Sequence, residues 1–249
     1  MRIQIRIKTQ MKSFLFFICS IMIITISACS QQHEVADKTK VPLPVQEKFS
    51  VILGGTTVGG MTVTRDIESI KIDFSFSNNG RGASSNEVLT LSDKGLPIDW
   101  RITGKTVFGN EVDEQFSLEG NIAKWQSSAE SGNADFDNSA LYIAQNASPY
   151  ALYVYAKALL SEANHSMSAL PSGVLTINEV DKIELKDASN IIINATIYAI
   201  NGIELDPSYI ALDSNHHMLG YLSPRFVVIR KGLEKQNKTL SDLAARLNA

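Results

Sequence analysis

The feature that most constrains the fold is a repeated alternation of apolar and polar residues in the first half of the chain. Residues 70–76 alternate strictly, and Asn78-Asn79-Gly80 follows them as a turn signal. Because successive side chains of a strand point to opposite faces, a period of two predicts a strand with one apolar face. The pattern recurs from Phe49 to Ser128 and predicts an antiparallel meander with short turns.

Large aromatic side chains fall on one face of this meander. They are Phe74, Phe76, Trp100, Phe116 and Trp125. Left uncovered, they would form a large exposed apolar patch, so a second element must pack on them. Ser148-Pro149 is a strong helix start, because serine caps free amides and proline suits the first helical position. The apolar stripe that follows predicts a covering helix over residues 149–163. We interpret the aromatic face as core, with an apolar ligand pocket as the alternative.

The second half contains another β section, from Val174 to Ile229, followed by an apolar stripe over residues 231–249 that predicts a helix. Asn201-Gly202 stands between two apolar runs and predicts a tight hairpin turn. The predicted fold class is therefore α+β. We expect a strongly bent antiparallel meander, half-barrel or sandwich-like, packed against one helix. The β-rich domain is predicted to span residues 49–230, with residues 231–249 forming either an ordinary terminus or the start of a linker to a further domain.

The first 28 residues are typical of an export signal. Four basic residues precede a short apolar run from Phe14 to Ile26, which is too short to span a bilayer. A compact signal could also begin at Met11, so the true start is either Met1 or Met11. Ile26-Ser27-Ala28-Cys29 resembles the lipobox of bacterial lipoproteins, which implies cleavage before Cys29 and lipid attachment to its thiol. Small residues before the cut also fit a plain signal peptide, which is the alternative.

Lipidation implies a definite location for the mature chain. Acyl chains on Cys29 would hold it firmly on a membrane. Ser30 in place of Asp favours the outer membrane, facing the periplasm. Residues 29–48 are polar, contain Pro42 and Pro44, and are predicted to form a flexible tether.

The net charge limits the classes of molecule that the chain could bind, and the cysteine content shows whether an internal disulfide is expected. The whole chain has a net charge of −3, and the removed segment carries four basic residues and no acid, which leaves the mature chain near −7. An acidic protein without a basic run argues against nucleic-acid binding. Cys19 leaves with the signal, so we expect no internal disulfide.

Two glycine-containing segments resemble nucleotide-binding loops only superficially. Gly104-Lys105-Thr106 resembles the end of a phosphate-binding loop, but Asp99 stands where the motif requires glycine. We interpret it as a bend in a strand. The run from Gly54 to Gly60 lacks the dinucleotide spacing and predicts a hairpin or bulge where backbones approach closely.

Two further segments contain residue types that bind metals. His216-His217 are adjacent, so on a strand they would point to opposite faces. His33 and His165 do not lie at metal-ligand spacing, and we interpret the histidines as solvated. Residues 135–138 contain two acids but lack the glycine of a calcium loop and are predicted to form a polar loop. The sequence therefore predicts no catalytic residue, no cofactor and no metal site, and Cys29 is the one predicted site of modification.

From residue 49 onward the chain resembles a β-domain found ahead of the catalytic barrel in exported amidohydrolases. The resemblance depends on Phe49–Gly55 with Val58-Gly59, Lys94–Ile98, Ala123–Trp125, Ser148–Tyr150 and Ser223–Phe226. In that family a metal site opens with His-x-His, which this sequence lacks. The resemblance implies an accessory domain that contributes to C–N bond hydrolysis only when it is joined to a barrel. The bent meander under a helix also resembles the half-barrel lipoprotein carriers of the bacterial envelope.

The sequence is therefore compatible with three functions. The first is an accessory domain of an amidohydrolase-like protein. The second is a stand-alone lipoprotein that binds an apolar ligand between sheet and helix, and the third is a structural lipoprotein that binds another envelope protein.

Overall fold

Residues 45–136 and 139–249 are described in the computed structural model of the chain. Within them lie fifteen β-strands, two α-helices and one 3-10 turn. The strands are β1 (Val45–Leu53), β2 (Thr56–Arg65), β3 (Ile70–Phe76), β4 (Ser84–Leu91), β5 (Pro97–Lys105), β6 (Glu111–Glu119), β7 (Ile122–Gln126), β8 (Ser131–Asp135), β9 (Ala140–Tyr142), β10 (Ser166–Leu170), β11 (Val174–Lys186), β12 (Ile192–Asn201), β13 (Ser208–Leu212), β14 (Met218–Leu222) and β15 (Phe226–Arg230). The helices are α1 (Tyr150–Ser161) and α2 (Asn237–Leu247), and the 3-10 turn at Glu234–Gln236 precedes α2.

All of these strands belong to one sheet. Its order runs from β8 down to β1, continues with β15, and then runs down to β9. The first and last strands therefore pair at its centre, with Phe49 opposite Arg230. Neighbouring strands are antiparallel except β9 and β10, which are parallel. Most connections are therefore short turns between sequence neighbours, as the turn signals predict.

The connectivity forces this sheet to curl. A flat sheet of this many strands would be about 65 Å wide, because neighbouring strands lie about 4.8 Å apart. The edge strands β8 and β9 are nevertheless consecutive in sequence, separated only by residues 136–139. Asp135 and Ala140 are thus at most roughly 19 Å apart, since each peptide link spans about 3.8 Å. The two edges must approach each other, which gives the sheet a concave inner face.

The two helices pack on opposite faces of the sheet. α1 lies on the concave inner face, where it contacts β11, β12 and β13. α2 packs on the outer face through Leu240, Leu243 and Ala244. Strands between the helices are buried on both sides: in β12, Ile197 joins the outer cluster and Ile200 the inner one. We call the end of the sheet with the β1–β2 turn the upper end, and the end with the β2–β3 turn the lower end.

The predicted α+β class is wrong. The described residues form one fifteen-stranded sheet with only two short helices, so the protein is a β-structure with helical cover and not a balanced α+β packing. The sequence reasoning missed β8, β9 and β10, which are short and carry little apolar alternation. β8, for example, reads Ser-Gly-Asn-Ala-Asp. Without them the predicted domain consists of two β sections with a helix between them, and the strands that extend the sheet to its two edges are absent.

Several element boundaries differ from the predicted ones. β1 begins at Val45, four residues before the predicted domain start, and its Glu47 side chain forms ion pairs with Arg65 and Arg230. At α1 the Ser148 side chain makes no capping hydrogen bond. Beyond Asn201, β13 does not begin until Ser208, so residues 202–207 form a loop and not a two-residue turn.

Candidate functional site

The concave face is filled by α1 and the aromatic side chains beneath it. Trp100 on β5 is fully buried, and its ring meets that of Tyr155 on α1 edge to face, with centroids 6.3 Å apart. Phe116 on β6 stacks on Tyr142 with centroids 4.5 Å apart and 11° between the ring planes. The middle of the predicted aromatic face is therefore packed core.

Three glutamates point into this concave face from a single row of paired residues. The register runs from Glu47 through Val63 and Ile72 to Glu87, and then through Ile102 to Glu114. We call Glu47, Glu87 and Glu114 the glutamate row. Each of its members contacts residues 142–153, the segment that leads into α1, either directly or through Arg65. The row thus holds this segment against the sheet.

Glu114 is 1% exposed and makes the largest set of hydrogen bonds in the row. Its Oε1 accepts the Tyr142 hydroxyl at 2.7 Å and the Gln145 amide at 2.9 Å. Its Oε2 accepts the backbone amide and the side-chain amide of Asn146, both at 2.9 Å. Burial, followed by the bond to Glu114, raises the pKa of the Tyr142 phenol far above its ordinary value. Tyr142 therefore stays protonated and donates to the carboxylate.

Glu87 is 2% exposed and holds the residue just before the helix. Its Oε1 accepts the Ser148 amide at 2.5 Å and the Ser85 hydroxyl at 2.9 Å, and its Oε2 accepts the Trp100 indole N–H at 3.2 Å. Burial raises the pKa of this carboxyl above its usual 4.5, although these hydrogen bonds oppose the rise. Charge at Glu87 is therefore costly, and the carboxyl serves to fix the start of α1.

Glu47 joins two arginines at the lower end of the concave face. Its carboxylate lies 3.3 Å from Nε of Arg65 and 2.9 Å from Nη2 of Arg230. Arg65 also donates to the Tyr150 hydroxyl, and its guanidinium lies 5.5 Å from the ring centroids of both Tyr150 and Tyr153. Cation–π contacts of this kind stabilise a partly desolvated arginine. The first turn of α1 is thus fixed to the lower end.

The upper end of the concave face is different, because its aromatic side chains are only half-buried. Phe76, Phe226 and Tyr221 lie at the ends of β3, β15 and β14, all on the inner face. The ring centroids are 5.9 Å apart between Phe74 and Phe76, 5.4 Å between Phe76 and Phe226, and 6.1 Å between Phe226 and Tyr221. We call these four rings the aromatic row. Phe74 is buried, and the other three rings continue from it as a partly accessible apolar surface.

Gly59 makes this row possible. It pairs with Phe76 on the neighbouring strand, and a Cβ at this position would lie 2.1 Å from the Ser75 carbonyl oxygen and 2.7 Å from the Phe76 Cβ. Any side chain here would force the two strands apart. The close backbone approach predicted for the glycine run is confirmed, and it allows Phe76 to reach Phe226 although β1 and β2 lie between their strands.

A pocket of about 200 Å³ adjoins the aromatic row at Phe74. Its walls come from β3 to β6 and from the loop before α1. The lining residues are Phe74, Ala83, Ser84, Ser85, Lys105, Thr106, Val107, Val112, Asn146 and Ala147. Lys105 is the only charged residue of this lining in the described part of the chain. The glutamate row lies directly beneath, since Ser85 binds Glu87 and Asn146 binds Glu114.

The segments that resemble nucleotide loops take ordinary structural roles. Gly104-Lys105 ends β5, and a Cβ at Gly104 would lie 1.9 Å from the Ser84 carbonyl oxygen, which explains the glycine without a phosphate. Gly54 and Gly55 form the β1–β2 turn with φ of +56° and +84°. The hairpin predicted there is confirmed.

The remaining predicted positions are not brought together. His216 and His217 lie in the β13–β14 turn, where Nδ1 of His217 is 3.2 Å from Oδ2 of Asp213. His165 follows α1 with φ of +52°. Asp135 ends β8, whereas Asp137, Asn138, His33 and Cys29 lie outside the described residues. Across residues 45–136 and 139–249, no group of three His, Cys, Asp or Glu side chains could hold a metal ion.

Sequence reasoning missed Glu87 and Glu114, although a signal was present. Val112, Glu114 and Phe116 alternate with exposed residues, as do Ser85, Glu87 and Leu89. A glutamate at an inward position of such a pattern must be buried, and a buried carboxylate requires hydrogen-bond partners. The pattern could have identified the acids but not the loop that they bind.

Comparisons with known proteins add little. No protein-family model and no curated protein matches the chain. No helix within the described ranges is long and apolar enough to cross a membrane. A beta-barrel-like protein of the domain of unknown function DUF1849 from Brucella abortus is a similar solved structure, 12% identical, with a TM-score of 0.44, and the match covers 76% of this chain and 94% of that one.

Proposed function

We propose that this chain is an exported, lipid-anchored protein that binds an apolar ligand along the aromatic row at the upper end of its concave face. The observation that carries the proposal is the half-buried state of Phe76, Phe226 and Tyr221. Core aromatics of a sheet this large are normally covered, as Trp100 and Phe116 are. A continuous set of accessible rings facing inward is typical of a ligand site.

The rest of the concave face supports a rigid binding surface. The glutamate row and Arg65 fix residues 142–153, so the segment that enters α1 is held against the sheet beside the aromatic row. A surface that is ordered before binding loses little conformational entropy when the ligand arrives. The proposed ligand therefore lies at the end of the sheet, whereas the alternative drawn from the sequence is a position between sheet and helix.

The test measures binding of a fluorescent apolar probe, N-phenyl-1-naphthylamine, to the purified mature protein. We expect Phe226→Ser to weaken binding about tenfold, because it removes apolar contact area worth on the order of 1.5 kcal/mol. Ile122→Ser is the matched control, since Ile122 is also exposed but lies at the lower end of β7. Thermal unfolding of both variants verifies that they are folded.

Native mass spectrometry of the protein isolated from membranes provides a second readout. A co-purifying apolar molecule that is lost in Phe226→Ser would support the proposal. Equal probe affinity in the wild type and in a folded Phe226→Ser variant would contradict it.

A further inference from the structure

We propose that the ligand of the aromatic row is a single-chain amphiphile with an ammonium head, which enters the pocket at Phe74 while its chain lies along the row. This inference rests on the proposed function and specifies its ligand class. It follows from two buried carboxylates beneath the pocket that no cation balances, and from the hydrogen-bond acceptors in the pocket wall.

The two carboxylates are the next inward side chains below the pocket wall. Ser85 and Val112 line the pocket, and Glu87 and Glu114 follow them by two residues on β4 and β6. Side chains two residues apart on a strand share a face and are separated by about 7 Å. Both glutamates therefore lie close enough to the pocket to act on a charge within it.

No cation balances these carboxylates in the described part of the chain. Every group that donates to Glu87 or Glu114 is neutral, and Glu114 accepts four hydrogen bonds as an ionised carboxylate does. Lys105 contributes to the pocket wall, but the alternation of β5 puts its side chain on the outer face, where it pairs with Glu111. The two inward arginines pair with Glu47 at the lower end. The pocket therefore has a negative potential that attracts a cation and repels an anion.

The polar side chains of the pocket wall have already used their donors. The Ser85 hydroxyl donates to Glu87, and the Asn146 side-chain nitrogen donates to Glu114. The oxygen lone pairs of Ser85 and the Oδ1 atom of Asn146 remain as acceptors. An ammonium has only donors and complements them, whereas a carboxylate has only acceptors. A hydroxyl head, with one donor and no charge, should be intermediate.

The size of the pocket fits a head and a short length of chain. Its volume of about 200 Å³ is below the roughly 300 Å³ at which pockets for drug-sized molecules begin. Phe74 lines the pocket and is the first ring of the aromatic row, so the rest of the chain can continue over Phe76 and Phe226. Pocket and row thus form one path, with its polar end above the carboxylates.

The experiment compares three probes that share a twelve-carbon chain: dodecylammonium, dodecanol and dodecanoate. Each displaces the naphthylamine probe from the mature protein at about pH 8, below its aggregation limit, in low and high salt. We expect dodecylammonium to bind about fivefold more tightly than dodecanol, and dodecanoate to bind most weakly. This order should persist in high salt, because buried charges are screened much less than exposed charges such as Arg81 and Arg225.

Two variants remove a carboxylate charge and nearly preserve the shape of the side chain. Glu87→Gln and Glu114→Gln should each reduce the preference for dodecylammonium over dodecanol, and Glu87→Gln alone decides the question if Glu114→Gln does not fold. Glu111→Gln is the matched control, since it removes the same charge from β6 on the outer face and should leave the preference unchanged. Thermal unfolding verifies that each variant is folded.

Equal affinity for dodecylammonium and dodecanol would overturn the ammonium head and leave the apolar site intact. A preference that disappears in high salt, persists unchanged in folded Glu87→Gln, or falls equally in Glu111→Gln would have the same consequence. Failure of every probe to bind would overturn the proposed function itself.

Discussion

Glu114 accepts four hydrogen bonds within the concave face, so its loss leaves four donors unsatisfied. We expect Glu114→Ala to lower the free energy of unfolding by about 3–5 kcal/mol, as is usual when one partner of a buried charged network is removed. Glu119→Ala on the same strand is the control. Because Glu119 is exposed, this substitution should change the free energy of unfolding by less than about 0.5 kcal/mol. Urea unfolding measures both variants, and similar losses of stability would contradict the proposal that the hydrogen bonds of Glu114 stabilise the fold.

Glu87 predicts a specific dependence of stability on pH. Burial raises the pKa of Glu87 in the folded state, so at pH values between the unfolded pKa of 4.5 and the folded pKa the folded protein carries a proton on Glu87 that the unfolded chain has lost. The contribution of this carboxyl to the free energy of unfolding is therefore complete below about pH 4.5 and decreases as the pH rises through the folded pKa. In Glu87→Gln this decrease is absent.

The measurement is the difference in unfolding free energy between wild type and Glu87→Gln, taken by urea unfolding at about pH 5 and about pH 8. We expect the wild type to lose stability relative to the variant at the higher pH. A difference that stays constant, or one that changes in the opposite direction, would show that burial does not control this group.

At the residue scale, the sequence indicates which side chains are buried better than it indicates what they contact. The alternation alone predicts that Phe74 and Phe116 lie on the apolar face, and both are buried. The partners of Glu114 are 28 to 32 residues away in sequence. They depend on how the sheet curls, which no local pattern encodes.

At the scale of elements, α2 covers an apolar outer face that would otherwise contact water. Leu240 is fully buried between α2 and the strands around β15. We expect Leu240→Ala to lower the free energy of unfolding by about 2–4 kcal/mol, because it removes buried apolar surface and leaves a cavity. Lys238→Ala in the same helix should be nearly neutral, since the Lys238 side chain is 82% exposed. Chemical unfolding separates the two, and comparable losses would mean that α2 does not pack as described.

The elements were predictable where their periodicity is strong and hidden where they are short. The helix after Pro149 and the apolar stripe of the last helix are visible in the sequence. β8 to β10 are not, because strands of three to five residues give too few periods to detect. β9 is held mainly by its parallel pairing with β10 and by the Tyr142 contacts, which are tertiary.

At the scale of the whole molecule, the four-residue link between the edge strands determines the architecture. It forces the sheet to curl, and curling creates the concave face, the glutamate row and the accessible rings at the upper end. The sequence predicts a bent meander but not its closure, because closure requires the positions of β8 and β9. The relation to amidohydrolases and the alternative role in envelope assembly stay predictions.

The lipid anchor is also a whole-molecule prediction, and it concerns residues outside the described part. If Cys29 is acylated, radioactive palmitate should label the wild-type protein but not Cys29→Ser, and the variant should leave the membrane fraction or accumulate uncleaved. Two or three acyl chains are needed for firm attachment, so the loss of all of them should be clear in fractionation. Cys19→Ser is the matched control: Cys19 lies within the predicted signal, so this substitution should leave labelling unchanged. Palmitate label on Cys29→Ser would exclude this anchor. The same conclusion would follow if the variant were cleaved normally and still found entirely in the membrane fraction. The ligand site proposed for the upper end would then have to operate on a protein held in place by other contacts.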